Sequence, residues 1–471
     1  MLRVIPVIFS VILITSWSCQ PEEEQFTYDE SARLRFSTDT VYFDTLFTTL
    51  GSVTKRFRVY NDANNAVNIS QVRLAGGTSS PFTIYANGES GPVVNDVRIL
   101  GGDSILMLAE VTIDPQDSQL PFIVTDQIEF ETNGNQQHVD LVAWGQDANF
   151  LRDSVLTCDA TWTAGKPYVI YNSVLIDQGC KLTIEPGARV YSHNGSFIFV
   201  AGTLQAMGLP DNRITFTNDR FDEPFDNAPG QWGGLIFLQG SDDNSIDYTD
   251  IRNANIGIYL GTPDDDDDPD LVLANTRIEN IGGNTVLPSI DSLIQPGYGI
   301  LAITSDLYAY NTLINNCQLN VAAHVAGGNY RYEHCTLANF SFDFIRREPI
   351  ALFANNLLLG DDRLLVADIH VAMQNNIIWG GLREEIIFSN VEDVDFIMAI
   401  DNNIIKTTDE TLLTENINID PEFFDPPAYH YNLDTLSPAK DAGISLGINL
   451  DHEGMMRDEK PDLGAFERIE N

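Results

Sequence analysis

Cys180-Lys181-Leu182-Thr183-Ile184-Glu185-Pro186-Gly187-Ala188-Arg189-Val190 is followed, one turn on, by Phe197-Ile198-Phe199-Val200-Ala201-Gly202-Thr203-Leu204-Gln205-Ala206. Glycines stand where the chain must make tight corners, and β-branched and aromatic residues fill the short runs between them. Arg213-Ile214-Thr215-Phe216-Thr217 and Gln231-Trp232-Gly233-Gly234-Leu235-Ile236-Phe237 carry the pattern forward, and Ser173-Val174-Leu175-Ile176 carries it back. The unit that repeats is a set of short strands, the mark of a solenoid rather than a globular core.

Further along, one column recurs in Ala274-Asn275-Thr276-Arg277-Ile278, Tyr310-Asn311-Thr312-Leu313-Ile314, Glu333-His334-Cys335-Thr336-Leu337, Ala354-Asn355-Asn356-Leu357-Leu358, Gln374-Asn375-Asn376-Ile377-Ile378 and Asp401-Asn402-Asn403-Ile404-Ile405. Its members Asn275, Asn311, His334, Asn355, Asn375 and Asn402 are separated by 36, 23, 21, 20 and 27 residues, so the basal turn is near 21 and longer intervals hold insertions. Parallel strands then stack at ~4.8 Å per layer. The column could be a binding row, but amides can hydrogen-bond from layer to layer and satisfy a bend, so an internal ladder is the expectation.

The stretch from Ser173 to Phe237 resembles the right-handed parallel β-helix repeat of secreted bacterial proteins. The final segment, Leu436-Ser437-Pro438-Ala439-Lys440-Asp441-Ala442-Gly443 with Asp451, Gly454, Arg457 and Pro461-Asp462-Leu463-Gly464-Ala465-Phe466-Glu467, resembles the piece that closes many such proteins. Its acidic residues and Arg457 could form a buried polar network or a small metal site. Upstream, Arg35 to Gln146 alternates apolar and polar residues in runs such as Thr40-Val41-Tyr42-Phe43-Asp44, Lys55-Arg56-Phe57-Arg58-Val59-Tyr60 and Ile105-Leu106-Met107-Leu108-Ala109-Glu110-Val111. About seven half-buried strands are expected there. Arg58-Val59-Tyr60-Asn61, Val111-Thr112-Ile113-Asp114-Pro115 and Phe130-Glu131-Thr132-Asn133 resemble cysteine-free Ig-like domains of the major sperm protein and spindle type, which implies a spacer or protein-binding module. The fold class expected is all-β, an Ig-like β-sandwich followed by a right-handed single-stranded parallel β-helix.

The first residues read as a secretion signal, with Arg3, an apolar run from Val4 to Ile14, and Ser16 and Ser18 ahead of Cys19. Leu13-Ile14-Thr15-Ser16-Trp17-Ser18-Cys19 resembles a loose lipobox, and the Glu22-Glu23-Glu24 run that follows Gln20 resembles the surface-export tag of Bacteroidota lipoproteins. That resemblance implies lipidation at Cys19 and an outward-facing place on the outer membrane; a simple secretory signal with an incidental cysteine is the other reading. The expected organisation is a signal peptide at 1–18, an acidic tether at 19–34, the sandwich at 35–147, a connector at 148–160, the β-helix at 161–410 and a C-terminal capping segment at 411–471.

The formal charge is −42, and −43 once residues 1–18 are removed. Nucleic acid is thereby disfavoured as a partner, and an acidic glycan would need bridging cations. Cys158 and Cys180, 22 residues apart, lie close to one turn and could form a disulfide between layers. Cys317 and Cys335 fall out of column with each other and are expected to be free, buried thiols.

Insertions leave the repeat at Asn218 to Gln231, Gly261 to Asp270 and Gly282 to Gly297, and loops are where a rigid rod usually carries function. Phe221, Phe225 and Trp232 are candidate glycan contacts. Asp264, Asp265, Asp266, Asp267, Asp268 and Asp270 could hold calcium, the one possible cofactor, although an aspartate run is also a plain solvated loop and no EF-hand spacing is present. A lyase would need a base, for which Arg346-Arg347 is the only adjacent basic pair in the region, and a glycoside hydrolase would need carboxylates on neighbouring turns, which Asp242, Asp243, Asp247 and Asp250 could supply. No signature motif of either is visible. The expected role is non-catalytic binding or structural presentation at the cell surface, toward a polysaccharide or another surface protein, with a calcium-assisted lyase or glycoside hydrolase as the alternative.

Overall fold

The computed structural model describes residues 25–263, 266, 268–284, 295–340, 342, 344–359 and 363–468. Cys19 and the Glu22-Glu23-Glu24 run lie outside them. The chain divides into two compact units, Met1–Asp147 and Ala148–Asn471. No α-helix occurs among the described residues.

The first unit is two five-stranded sheets. One runs in the order Leu34–Phe36, Lys55–Asn61, Ser104–Val111, Phe82–Ala86 and Glu89–Gly91; the other runs Thr40–Phe47, Asn135–Gln146, Phe122–Thr132, Val67–Leu74 and Val93–Ile99. Alternation puts Phe57, Val59, Ile69, Ile84, Met107, Phe130 and Leu141 inside. Ten strands stand where about seven were expected, because short edge strands such as Glu89–Gly91 carry too few residues to show a period. Asn61 closes its strand by donating from Nδ2 to Asn65 O at 2.9 Å and Leu100 O at 2.9 Å.

The second unit is a parallel β-helix with three strands per turn, wound in the right-handed sense that parallel crossovers take. The first face is a nine-stranded sheet whose later rungs are Leu271–Ala274, Leu307–Tyr310, Gly328–Glu333, Ile369–Gln374 and Phe396–Asp401. The second and third faces join into one 17-stranded sheet because Tyr168–Ile176 runs along both, pairing with Arg189–Ser192 and with Phe197–Val200. Register stacks like positions: Ile184, Ala206, Ile246, Leu273, Ala309, Tyr332, Met373 and Ile400 form one inward row. Small Ala309 under large Tyr332 keeps the row filled. Each fully buried Ile or Leu in such rows contributes on the order of 2 kcal/mol. At Gly202 a Cβ would lie 2.1 Å from Cys180 O, so only glycine passes that corner.

Residues 148–160 are not a connector. Asn149–Val155 and Ala160–Trp162 already pair with the next turn and form the first rungs of the solenoid. The segment from 411 to 468 is also more than an end cap. Ile417 bridges Ile404 and Asn416 Nδ2 donates to Ile400 O, so 412–418 plug the end. The chain then turns back and runs lengthwise along the corner between the first and second faces. Ala442 O, Ile444 O and Leu450 O accept from Asn402, Asn375 and Asn311 at 3.3, 2.7 and 2.6 Å, and His452 O accepts from Arg213 at 3.5 Å. Leu463, Ala465 and Phe466 cover the outward side of Leu313, Ile377 and Ile404.

Candidate functional site

Along that corner five of the six residues of the column form two hydrogen-bonded runs, Asn275 with Asn311 and His334 with Asn375 and Asn402. Asn311 Nδ2 donates to Asn275 Oδ1 at 3.0 Å, Asn375 Nδ2 meets His334 Nε2 at 2.8 Å, and Asn402 Nδ2 donates to Asn375 Oδ1 at 2.6 Å. All five take a left-handed backbone, φ 45 to 59, which asparagine tolerates better than other non-glycine residues. Asn355 is not a rung: it follows Ala351–Ala354 on the third face and bonds Asn390 Oδ1 at 2.8 Å. A second ladder, missed in the sequence, joins Asn218, Asn253, Asn280 and Asn316 at 2.7, 2.7 and 3.0 Å. Arg457 sits inside the strap, 3.1 Å from Glu467 and 2.9 Å from Asn311 Oδ1, so this polar cluster is a buried network.

Cys158 and Cys180 are joined by a disulfide, with Cα atoms 4.5 Å apart. Cys317 and Cys335 are free and fully buried, and burial pushes the Cys335 thiol up to about 12.

The other predicted site residues do not come together. Trp232 is fully buried, its indole N–H donating to Arg252 O at 2.7 Å, and so cannot meet a glycan. Phe221 packs edge-on to Tyr191 at 5.1 Å, and Phe225 lies 3.5 Å beneath the Arg220 guanidinium. Asp264, Asp265 and Asp267 fall outside the described residues. Asp266 accepts from Asp268 N at 2.9 Å, while Asp270, 1% exposed, accepts from Asp306 N at 2.7 Å. Among the described residues no three His, Cys, Asp or Glu side chains gather as a metal site. Arg346 is locked on both Glu385 oxygens at 2.7 Å, with neither side chain exposed, and is no free base. Asp250 pairs with Arg213 at 3.0 Å. Asp247 accepts from Asn275 at 2.7 Å, and burial raises its carboxyl.

A site the sequence did not show lies on the outward side of the first face. Tyr308, Arg331, Ala372 and Ala399 share one outward column, and Asn329, His370 and Ile397 the next. The step from large Tyr308 and Arg331 to small Ala372 and Ala399 leaves a hollow of about 530 Å³, walled by Asp306 and by Pro269 at the foot of the aspartate-rich insertion. Tyr308 donates to Glu333 Oε2 at 2.6 Å, Arg331 donates to Glu333 Oε1 at 2.9 Å, and the guanidinium lies 4.7 Å over the Tyr308 ring. Burial, and then the bond to Glu333, hold the Tyr308 hydroxyl well above its usual range, so it stays protonated. On the other wall Asp306 accepts from Asn329 N at 2.6 Å and from its Nδ2 at 2.9 Å. That turns Asn329 Oδ1 toward His370 Nδ1, 2.8 Å away, which donates to it. The hollow offers an aromatic ring beside the Arg331 guanidinium, planar hydrogen-bonding groups and carboxylates already hydrogen-bonded by neighbours, a set suited to a ring of hydroxyls.

Fold and groove define a parallel β-helix with a polar-aromatic hollow on one face. Over residues 154–287 the chain matches the family described as a pectate-lyase-like β-helix domain. No curated protein matches it. Among solved structures it is similar to the PapD-like domain 7 of human CEP192, at 11% identity over 28% of this chain and 98% of that one, TM-score 0.18. It is also similar to the chaperone DraB of E. coli, at 11% identity over 26% and 56%, TM-score 0.17. A third is a Porphyromonas gingivalis W83 protein of unknown function, at 10% identity over 27% and 60%, TM-score 0.18. The chain thus spans less than two thirds of the last two.

Proposed function

We propose that the protein is a lipid-anchored surface protein of the outer membrane whose β-helix holds a polysaccharide in the first-face hollow without cleaving it, with an Ig-like sandwich as spacer. The observation that carries the reading is the groove itself, where Tyr308 offers a ring and every carboxylate is already occupied: Glu333 by Tyr308 and Arg331, Asp306 by Asn329. A carboxylate that must gain or lose a proton in catalysis would first have to give up those bonds. The match to a pectate-lyase-like domain favours the second reading, a calcium-assisted lyase or a glycoside hydrolase.

Calorimetric titration with neutral and acidic polysaccharides, with and without calcium, separates the two when product is followed over hours. Saturable binding with no product supports the binding role. Unsaturated uronides or new reducing ends establish the enzyme instead. For the anchor, Cys19→Ser should move the protein to the soluble fraction, and continued membrane attachment would refute lipidation.

A further inference from the structure

The last rung of the first face, Phe396–Asp401, is paired on one side only, with Ile369–Gln374. Ile369 N donates to Asp395 O at 3.0 Å, and this fixes the alternation of the parallel ladder. The backbone groups of Ile397 and Ala399 turn toward the preceding rung, and those of Phe396, Met398 and Ile400 turn away. Consistent with that direction, Asn416 reaches Ile400 O from the far side at 2.8 Å. No strand pairs there among the described residues. Met398 points toward the core and is still 47% exposed, because no further turn covers it. Unpaired donors and acceptors beside exposed apolar side chains make a template for another strand.

Charge selects the occupant. Exposed Glu392 and Asp393 precede the edge and exposed Asp409, Glu410 and Glu415 follow it. Lys406, between these two acidic stretches in sequence, is engaged, its ammonium donating to Gly380 O at 2.5 Å over the Trp379 ring. A second copy of this chain would bring the same carboxylates against themselves. We propose that this edge docks an extended segment of another protein, apolar in its middle and rich in lysine or arginine on both sides, which adds to the nine-stranded sheet as a further strand.

The test uses the full chain and two fluorescent peptides of alternating valine and threonine, one bracketed by lysine pairs and one by glutamate pairs, followed by anisotropy. The lysine peptide should bind at least about tenfold more tightly, with affinity falling as salt rises. Met398→Pro removes an outward-facing amide without breaking a ladder bond and should abolish binding at an unchanged unfolding midpoint. Should that variant fail to fold, Glu392→Lys with Asp393→Lys, both at exposed sites, should weaken the lysine peptide about tenfold. Equal binding of both peptides, binding of neither, or indifference to both sets of substitutions overturns the proposal. Concentration-dependent self-association lost in Met398→Pro also overturns it, by making the occupant a second copy.

Discussion

Arg457 and Asn311, 146 residues apart in sequence, are joined by a 2.9 Å hydrogen bond from Nη2 to Oδ1. The same guanidinium reaches Gly464 O at 3.0 Å and Glu467 at 3.1 Å, with both charged side chains under 5% exposed. It therefore fastens the returning strap to a rung of the ladder. Arg457→Ala leaves Glu467 charged and buried without its partner and should cost about 3–5 kcal/mol. Urea unfolding gives the loss, and limited proteolysis should show new cuts between 440 and 468. An unchanged midpoint would show that the strap holds without it.

Arg346 and Glu385 pose the same question on the third face, where both are fully buried. Glu385→Gln should destabilise by about 3–5 kcal/mol, since Arg346 keeps a charge that nothing nearby balances. Replacing both at once, Arg346→Met with Glu385→Leu, should recover more than half of that loss. If the double variant is as unstable as the single one, the bonds from Arg346 to Asn339 O and Glu348 O matter more than the charge pair.

Tyr308→Ala should weaken saccharide binding by about 2 kcal/mol, roughly thirtyfold, by removing the ring while leaving the inward row intact. Tyr308→Phe keeps the ring and releases Glu333 Oε2, and should bind nearly as well as the unaltered chain. Calorimetry on both variants decides between stacking and hydroxyl chemistry as the source of affinity.

His324 and His334 are buried and neutral, each driven down to about 3, chiefly by burial, with Arg457 adding to the effect at His334. An unfolded histidine titrates near 6.5. Below that pH the unfolded chain takes up protons that the folded rings refuse, so their stability is present in full above about 6.5 and falls as pH drops toward about 3. Asp462 works in the opposite sense: burial raises it to about 6, so its contribution is present at low pH and lost as pH rises through that value. Between about pH 4 and pH 6 each of these two rings contributes a loss on acidification on the order of 1 kcal/mol per pH unit, which Asp462 offsets in part. His334→Asn restores the residue of the other rungs and should flatten the decline in urea midpoint between about pH 6 and pH 4. A slope equal to that of the unaltered chain would exonerate His334.

The strands and corners of the solenoid were legible because each turn repeats the same demand: a small or left-handed residue at a bend, an aliphatic one inside. Asn355 misled because the His334-to-Asn375 turn is lengthened by the hairpin Asn356–Leu358 with Leu364–Val366, and an asparagine also sits at the corner before it. Trp232 read as a surface aromatic because it ends an insertion, and its burial depends on Arg252 O, a partner set by register rather than by neighbours in sequence. The hollow was illegible for a related reason. Tyr308, Arg331 and Ala372 become adjacent only through the ladder pairing, and nothing local marks which way each side chain points.

A solenoid whose turns touch only their neighbours can zip up from one end as the chain is delivered. The strap changes that order of events here, because Arg213, in an early turn, is held by the carbonyl of His452, 239 residues later. Its corner stays unfinished until the stretch from Ala442 to His452 has been delivered, and a chain lacking that stretch would leave Asn311, Asn375 and Asn402 without the carbonyls they bond. High contact order is thus built into a fold whose repeats alone would give little of it.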